Sequence, residues 1–243
     1  MPEIFVAQEH SQIYDLWRTR GDRGLRLVHI DHHCDMRGLL IDRRRGRAYF
    51  IGSQSRRATV DSGNFLAHAI MEGIVSAVRW VHDDFGGRCY DVGGTVKYER
   101  DITALPHRFS HFLKPWREAP IRFDEAYFRD YTGPEPGQHL DIDWDGLAPV
   151  DYDLHRIRML IDRFFAWDFK STPPSVYLVR SPGYSHPDHR LFEEFLDALR
   201  GKFAADVVRL PAPAKPPEET RPLRFRTRLM AQTIITLHRM GIY

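Results

Sequence analysis

Cysteine is scarce in this sequence: Cys34 and Cys89 are the only two in 243 residues. That excludes a disulfide framework and is expected of a chain that lives in a reducing compartment. No stretch approaches the roughly 20 consecutive apolar residues that a membrane-spanning helix needs. The opening Met1-Pro2-Glu3-Ile4 places a charge where a secretory leader would be building its apolar run. Net charge is also low, with 35 Lys and Arg against 33 Asp and Glu, a formal +2. Such a balance asks for neither nucleic acid nor an anionic membrane surface, and the basic runs at 43–47 and 221–228 read as solvated faces or turns. The expectation is a cytoplasmic protein without nucleic-acid or membrane partners. Its oligomeric state, homo-oligomer included, stays open.

Apolar and aromatic content is ample. Hydrophobic residues make up 42% of the chain, with 15 Phe, 10 Tyr and 5 Trp, which argues for a packed core and against disorder. Glu3–Ala7 is a short run of strand type, and 11–18 follow with helical spacing of Ile13, Leu16 and Trp17. Leu25–Ile30 is almost continuously apolar, as expected for a strand covered on both faces of a parallel sheet. Residues 47–52 read as another short strand. Ser62-Gly63-Asn64 supplies helix-start chemistry, and Phe65, Leu66, Ala69, Ile70, Val75 and Val78 predict a helix running to about Val81.

Residues 84–136, rich in Gly, Pro, His and aromatics, support no assignment. Residues 138–143 predict a strand that ends in acids, 154–166 an amphipathic helix, 175–180 a strand and 187–203 a second amphipathic helix. Alternating strands and helices predict an α/β fold with a mostly parallel central sheet. The organisation expected is an α/β domain over 1–210, a Pro-rich connector over 211–219 (PAPAKPPEE) and a helical tail over 220–243 that packs back or meets a partner.

The sharpest chemical signal is His29-Ile30-Asp31-His32-His33-Cys34-Asp35. A buried apolar strand runs here into several potential metal ligands, and strand alternation would set Asp31, His33 and Asp35 on one side, with His32 and Cys34 on the other. His29, like His107, His111, His186 and His189, reads as structural or surface. A second strand runs into His139-Leu140-Asp141-Ile142-Asp143-Trp144-Asp145, which sets Asp141 and Asp143 on one side. Carboxylates crowded in a low-dielectric crevice repel one another unless a cation joins them. A mixed carboxylate and imidazole set suits manganese, iron or zinc better than calcium. In a parallel sheet such strand ends meet at the ligand-binding edge.

These motifs resemble the arginase and ureohydrolase family. Asp31, His33 and Asp35 match its Asp-x-His-x-Asp segment, and Asp141 and Asp143 match its later Asp-x-Asp segment. The short arginase-like group that includes peptide arginases is the nearer resemblance. It rests on Glu9-His10 after the first strand, Gly63-Asn64-Phe65-Leu66 at a helix start, Asp141-Ile142-Asp143 and Arg180-Ser181-Pro182-Gly183-Tyr184. The resemblance spans roughly residues 3–205, with the middle unplaced.

The resemblance implies a three-layer arginase/deacetylase-like fold with its metal site at the carboxyl ends of the strands. It implies two manganese ions per chain, held by His10, Asp31, His33, Asp35, Asp141 and Asp143, with Asp31 and Asp141 bridging. His68 would deliver a proton to the leaving amine, and Asp143 would accept a hydrogen bond from the attacking group. Ser62, Asn64 and Arg180 would bind substrate, an arginine residue within a peptide, converted to ornithine with release of urea. For His10, His68, Ser62 and Asn64 a helix-start or packing role stands as the alternative. The family's guanidinium-binding glutamate has no counterpart at Val179-Arg180, which leaves Asp145, Glu193 or Glu194 to supply that charge. Two rival functions remain open: a one-zinc amide hydrolase of deacetylase type, and a non-catalytic, metal-stabilised peptide-binding module.

Overall fold

The computed structural model describes residues 2–36, 39–42, 46–50, 60–83 and 118–212. Strand β1 (Glu3–Ala7) leads into helix α1 (His10–Arg20), then strand β2 (Leu25–Ile30). A small antiparallel sheet is formed by β3 (Leu39–Asp42), β4 (Arg47–Phe50) and, later in the chain, β6 (Glu118–Pro120). Between them lie helix α2 (Phe65–Met71) and strand β5 (Val75–His82); after β6 come β7 (Arg122–Tyr127) and β8 (His139–Asp143). Helix α3 (Leu154–Phe165), strand β9 (Ser175–Val179), helix α4 (His189–Phe203) and strand β10 (Asp206–Arg209) complete the described chain.

Seven of these strands form one sheet in the order β10-β1-β9-β8-β2-β5-β7. Every pairing in it is parallel, in keeping with the strand–helix alternation of the sequence. Successive strand residues face opposite ways, which divides the core into two layers. Phe5, Leu27, Val78 and Tyr177 pack on one face with Ile13 and Trp17 of α1 and Phe65 and Ile70 of α2. Ile4, Val28, Leu140 and Leu178 pack on the other with Phe164 of α3 and Phe192 and Phe195 of α4. Each fully buried side chain of this kind contributes about 1.5–3 kcal/mol, so both helical layers are bound firmly to the sheet. The result is a three-layer α/β architecture.

The helix predicted from Phe65 to about Val81 is instead two elements. α2 ends at Met71, Gly73 turns in the left-handed region at φ 72°, and Val75 and Val78 belong to β5. Their burial is set by pairing with β2 and β7, which a helical reading of the same apolar spacing cannot see. β4 falls on the strand read over 47–52, whereas β3, β6, β7 and β10 lie where the sequence supported no assignment. Helix α1 begins at His10 because the Gln12 side-chain oxygen accepts the backbone N–H groups of Gln8 and Glu9, closing the helix start. Of the Pro-rich connector only Pro211 and Ala212 are described, and Pro211 offers its carbonyl to the Gln12 amide. The expected tail over 220–243 lies outside the described residues, as do Cys89, His107 and His111. Among the described residues no helix is long and apolar enough to cross a membrane.

Candidate metal centre

Strands β2 and β8 lie side by side in the middle of the sheet, with His29 opposite Asp141 and Ile30 opposite Ile142. Both chains therefore leave the sheet at the same height, at its carboxyl edge. Asp31 follows β2 directly and is pinned from behind, its carbonyl accepting the Trp80 indole N–H at 3.1 Å. β8 passes at once into a 3-10 turn over Trp144–Gly146, where Asp143 accepts the Asp145 backbone N–H. That turn presses on Asp31: a Cβ at Gly146 would stand 2.7 Å from the Asp31 Cα, so only glycine fits.

Beyond Asp31 the chain is no longer a strand. The His33 backbone N–H bonds the Asp31 carboxylate at 2.7 Å, and Asp35 adopts the left-handed region at φ 53°. Asp31, His33 and Asp35 are thus gathered by a turn and not by the strand alternation expected of them. Ser181, just past β9, is also left-handed at φ 45° and donates its hydroxyl to Asp143 Oδ2 at 2.7 Å. Among the described non-glycine residues only Ala204, at the end of α4, shares this conformation. Two such positions touching one cluster mark it as a place where backbone strain of about 1–3 kcal/mol per residue is tolerated. The backbone N–H groups of Arg180 and Ser181 dock on the carbonyls of Ala7 and Gln8, which ties this segment to the start of α1.

His10, the first residue of α1, stands at the centre. Its Nδ1 lies 3.3 Å from both Asp35 and Asp143, and its Nε2 lies 3.5 Å from Asp141 Oδ1. Phe65 of α2 covers the ring, stacked at 4.3 Å. His29 binds Asp141 Oδ2 through Nδ1 at 2.8 Å and turns Nε2 toward Asp31 Oδ2 at 3.3 Å. His33 sits between Asp31 and Asp145, at 3.6 and 3.5 Å. Asp31, Asp35, Asp141, Asp143, Asp145, His10 and His29 are buried, while His33 keeps 21% of its side chain exposed and marks the open side. There the Tyr184 ring, 64% exposed, meets the His33 ring edge-on at 6.3 Å.

Burial and close charges displace the titration of His10, His29, His33, Asp31, Asp35, Asp141 and Asp145. Burial by itself lowers His10, but the charges of Asp141 and Asp143 reverse this and hold it well above its ordinary value. Against the same burial, hydrogen bonds to Asp141 and Asp31 lift His29 to about 10, and those to Asp145 and Asp31 lift His33 to about 12. Burial, then the charge of Asp31, drives Asp35 well above the carboxylate range. Burial, then Asp143 and Asp31, does the same to Asp145. Asp31 and Asp141 move down although burial opposes it, because His29 and His33 neutralise the first and His10 and His29 the second. Burial and mutual repulsion of this kind are what a bound cation would offset.

Unpaired atoms point the same way. His10 Nδ1, Asp31 Oδ2 and Asp145 Oδ1 are buried and make no hydrogen bond among the described residues. Leaving such lone pairs without a partner costs roughly 1–3 kcal/mol each, more when charged. The ligand atoms of His10, Asp31, Asp35 and Asp143 all lie within 4.8 Å of one another, as do those of Asp31, His33 and Asp145. His10, His29 and Asp141 form a third such set. The donors are carboxylates and imidazoles, which fits manganese, iron or zinc.

The structure thus brings together all six residues expected to bind metal. It adds two not expected as ligands: His29, which reads as structural in the sequence, and Asp145, offered there as a source of guanidinium-binding charge. His29 had a signal, standing two residues before Asp31 and so on its face of the strand. Asp145 is the third acid of an alternating series; the 3-10 turn continues its approach to Asp31. The other expected site residues lie around this cluster or apart from it. His68 is half-buried on α2 with its ring edge-on to Tyr14 at 6.2 Å. Ser62 and Asn64 form the turn before α2, where Asn64 Oδ1 accepts the Asp61 N–H. The Arg180 guanidinium rests over the Phe192 ring at 5.4 Å. Glu193 pairs with Arg209 on the surface at 2.6 Å.

No family model matches the chain, and no curated protein matches it. Among solved structures, a proclavaminate amidino hydrolase from Streptomyces clavuligerus is similar at 14% identity and a TM-score of 0.37. The match covers 83% of this chain and 64% of that one, so the chain spans less than two thirds of that protein's length.

Proposed function

We propose that the cluster binds two divalent cations, manganese by preference, and that the protein hydrolyses the guanidinium group of arginine within a peptide to ornithine and urea. The observation that carries this reading is the position of Asp31. Its carboxylate belongs to one ligand set with His10, Asp35 and Asp143 and to another with His33 and Asp145, so it can bridge two ions. Two divalent ions would balance the charge of the four carboxylates in those sets and offset the burial and like-charge repulsion that raise Asp35 and Asp145. Bound there, they supply Lewis acidity and bring the pKa of water down to about 7, so that attack on a poor electrophile proceeds at neutral pH.

The chain's own residues do the rest. Ser181 donates to Asp143 Oδ2, the oxygen that also faces His10, and the Asp145 N–H holds Oδ1, so the carboxylate is fixed in orientation. Phe65, Trp80 and the Gly146 turn shut the inner side against water. His68, on the helix whose first residue covers His10, is assigned the proton given to the leaving amine. At the open side Tyr184 and Val150 are exposed and joined by a backbone hydrogen bond, offering an apolar lip to the peptide around the reacting arginine. Arg180 leans on Phe192, which leaves the acidic cluster to receive a cationic side chain.

The test is elemental analysis of protein purified with added manganese, followed by a urea assay on arginine-containing peptides and on free arginine. Close to two manganese ions per chain with urea released from peptide is the expected outcome. One zinc per chain with amide hydrolysis would replace it by the deacetylase reading. Two ions without turnover on any amidine or amide would leave a metal-stabilised binding module.

A further inference from the structure

Asp141 is the acid that the motif resemblance offers as a bridging metal ligand, and its surroundings suit a different task. Both of its oxygens are turned toward imidazoles: Oδ2 to His29 Nδ1 at 2.8 Å, Oδ1 to His10 Nε2 at 3.5 Å. The opposite nitrogen of His10, Nδ1, is the one that faces Asp35 and Asp143 at 3.3 Å. Neither nitrogen of His10 makes a hydrogen bond among the described residues. A cation taken up beside Asp35 and Asp143 on the Nδ1 side would leave the single proton of the neutral ring to Nε2, where Asp141 stands to accept it. Asp143 and Asp145 lie farther along the chain, past the strand end, and it is they that share ligand sets with Asp31.

We propose that Asp141 is a positioning residue: backed by His29, it fixes the tautomer and ring orientation of His10, while Asp143 and Asp145 supply the metal-binding carboxylates of this strand end. The arrangement follows from the fold. His29 and Asp141 are register partners on β2 and β8, inside the sheet, and both are fully buried on the face covered by α1 and α2. Phe65 stacks on His10 from the helical side and leaves Asp141 as the polar contact at Nε2. Carboxylates behind a metal-bound histidine commonly raise metal affinity about 10–100-fold by this means.

This inference rests on the two-ion reading above, and calorimetric titration with Mn²⁺ separates the two. Asp141→Asn is expected to bind two ions per chain still, with the affinity for one of them lowered 10–100-fold. Adding His29→Gln should then cost little more, because both act through the same imidazole. Outright loss of an ion in Asp141→Asn, as in Asp143→Ala, would make Asp141 a ligand and overturn the assignment, and unchanged affinity would overturn it too. Should the variant fail to fold, the wild-type protein decides. Nitrogen-15 spectra of its zinc-loaded form should show His10 with Nδ1 metal-bound and Nε2 protonated; Nε2 metal-bound would refute the assignment. A wild-type protein that binds no metal would end the two-ion reading as well.

Discussion

The two ends of the central sheet handle charge in opposite ways. At the amino ends, Arg26 meets Glu135 at 2.8 Å with 41% and 50% of the two side chains exposed, and Arg79 and Arg122 share Asp124 nearby. Water screens these pairs, each charge has an opposite partner, and such contacts contribute little to stability. At the carboxyl ends, five buried carboxylates and three imidazoles, of which His33 alone is partly exposed, are gathered together, and several of their atoms have no hydrogen-bond partner among the described residues. A protein that sought only stability would not keep such a group, because each unpaired buried charge is costly. The difference separates charge placed for solubility from charge assembled for a cation.

The largest way to break the contrast is Asp31→Ala. Both candidate ligand sets lose their shared member, so on the proposed function manganese content should fall from two ions per chain to none and urea release should cease, read by elemental analysis and assay. Next comes Gly146→Ala, which leaves every ligand in place but drives a methyl group into the Asp31 backbone. Overpacking of this kind should cost about 1–3 kcal/mol and lower the melting temperature and the metal affinity together. A variant as stable as wild type would show that the turn need not press on Asp31.

Dependence on pH sharpens the same comparison. His29 and His33 are raised to about 10 and about 12, so the stability they give the metal-free protein is complete below their unfolded value near 6.5. It is lost as pH rises through the folded values. Asp35 and Asp145, also raised, penalise the metal-free fold progressively as pH rises above their ordinary value of 3.8, and the penalty is complete above their folded values. Both effects have one sign: the metal-free protein should melt lower between pH 6.5 and 10, while the shift produced by added manganese grows. A metal-induced shift that stays constant over that range would contradict the coupling. The smallest effect belongs to the other end of the sheet. Glu135→Ala should change stability by less than about 0.5 kcal/mol and leave metal content unaltered, as thermal melts and elemental analysis would show.

Much of the fold was legible from local pattern. Leu25–Ile30 and 175–180 read as buried strands because they are apolar on both faces, and the helices over 154–166 and 187–203 showed a clear apolar stripe. The stretch after Phe65 misled, since Val75 and Val78 fit a helical spacing as well as a strand one, and only pairing with β2 and β7 decides between them. At the site, Asp31, His33, Asp35, Asp141 and Asp143 stood out because acids and histidines at the ends of buried strands have no packing use. His29 and Asp145 did not, and each needs a neighbour distant in sequence to acquire meaning. His29 faces Asp141 across the sheet, and Asp145 reaches His33 through the turn at Gly146.

The sequence by itself determined the parallel α/β class, the carboxyl edge as the place where acids and histidines gather and the donor types, because hydrophobic periodicity and residue chemistry are local properties. Tertiary structure alone decided which donors face one another. A left-handed turn at Asp35, a strained Ser181 and the parallel register of β2 with β8 set distances between residues more than a hundred positions apart. Those distances set Asp141 between His29 and His10 and gather Asp31, Asp35, Asp143 and Asp145 around His10 and His33.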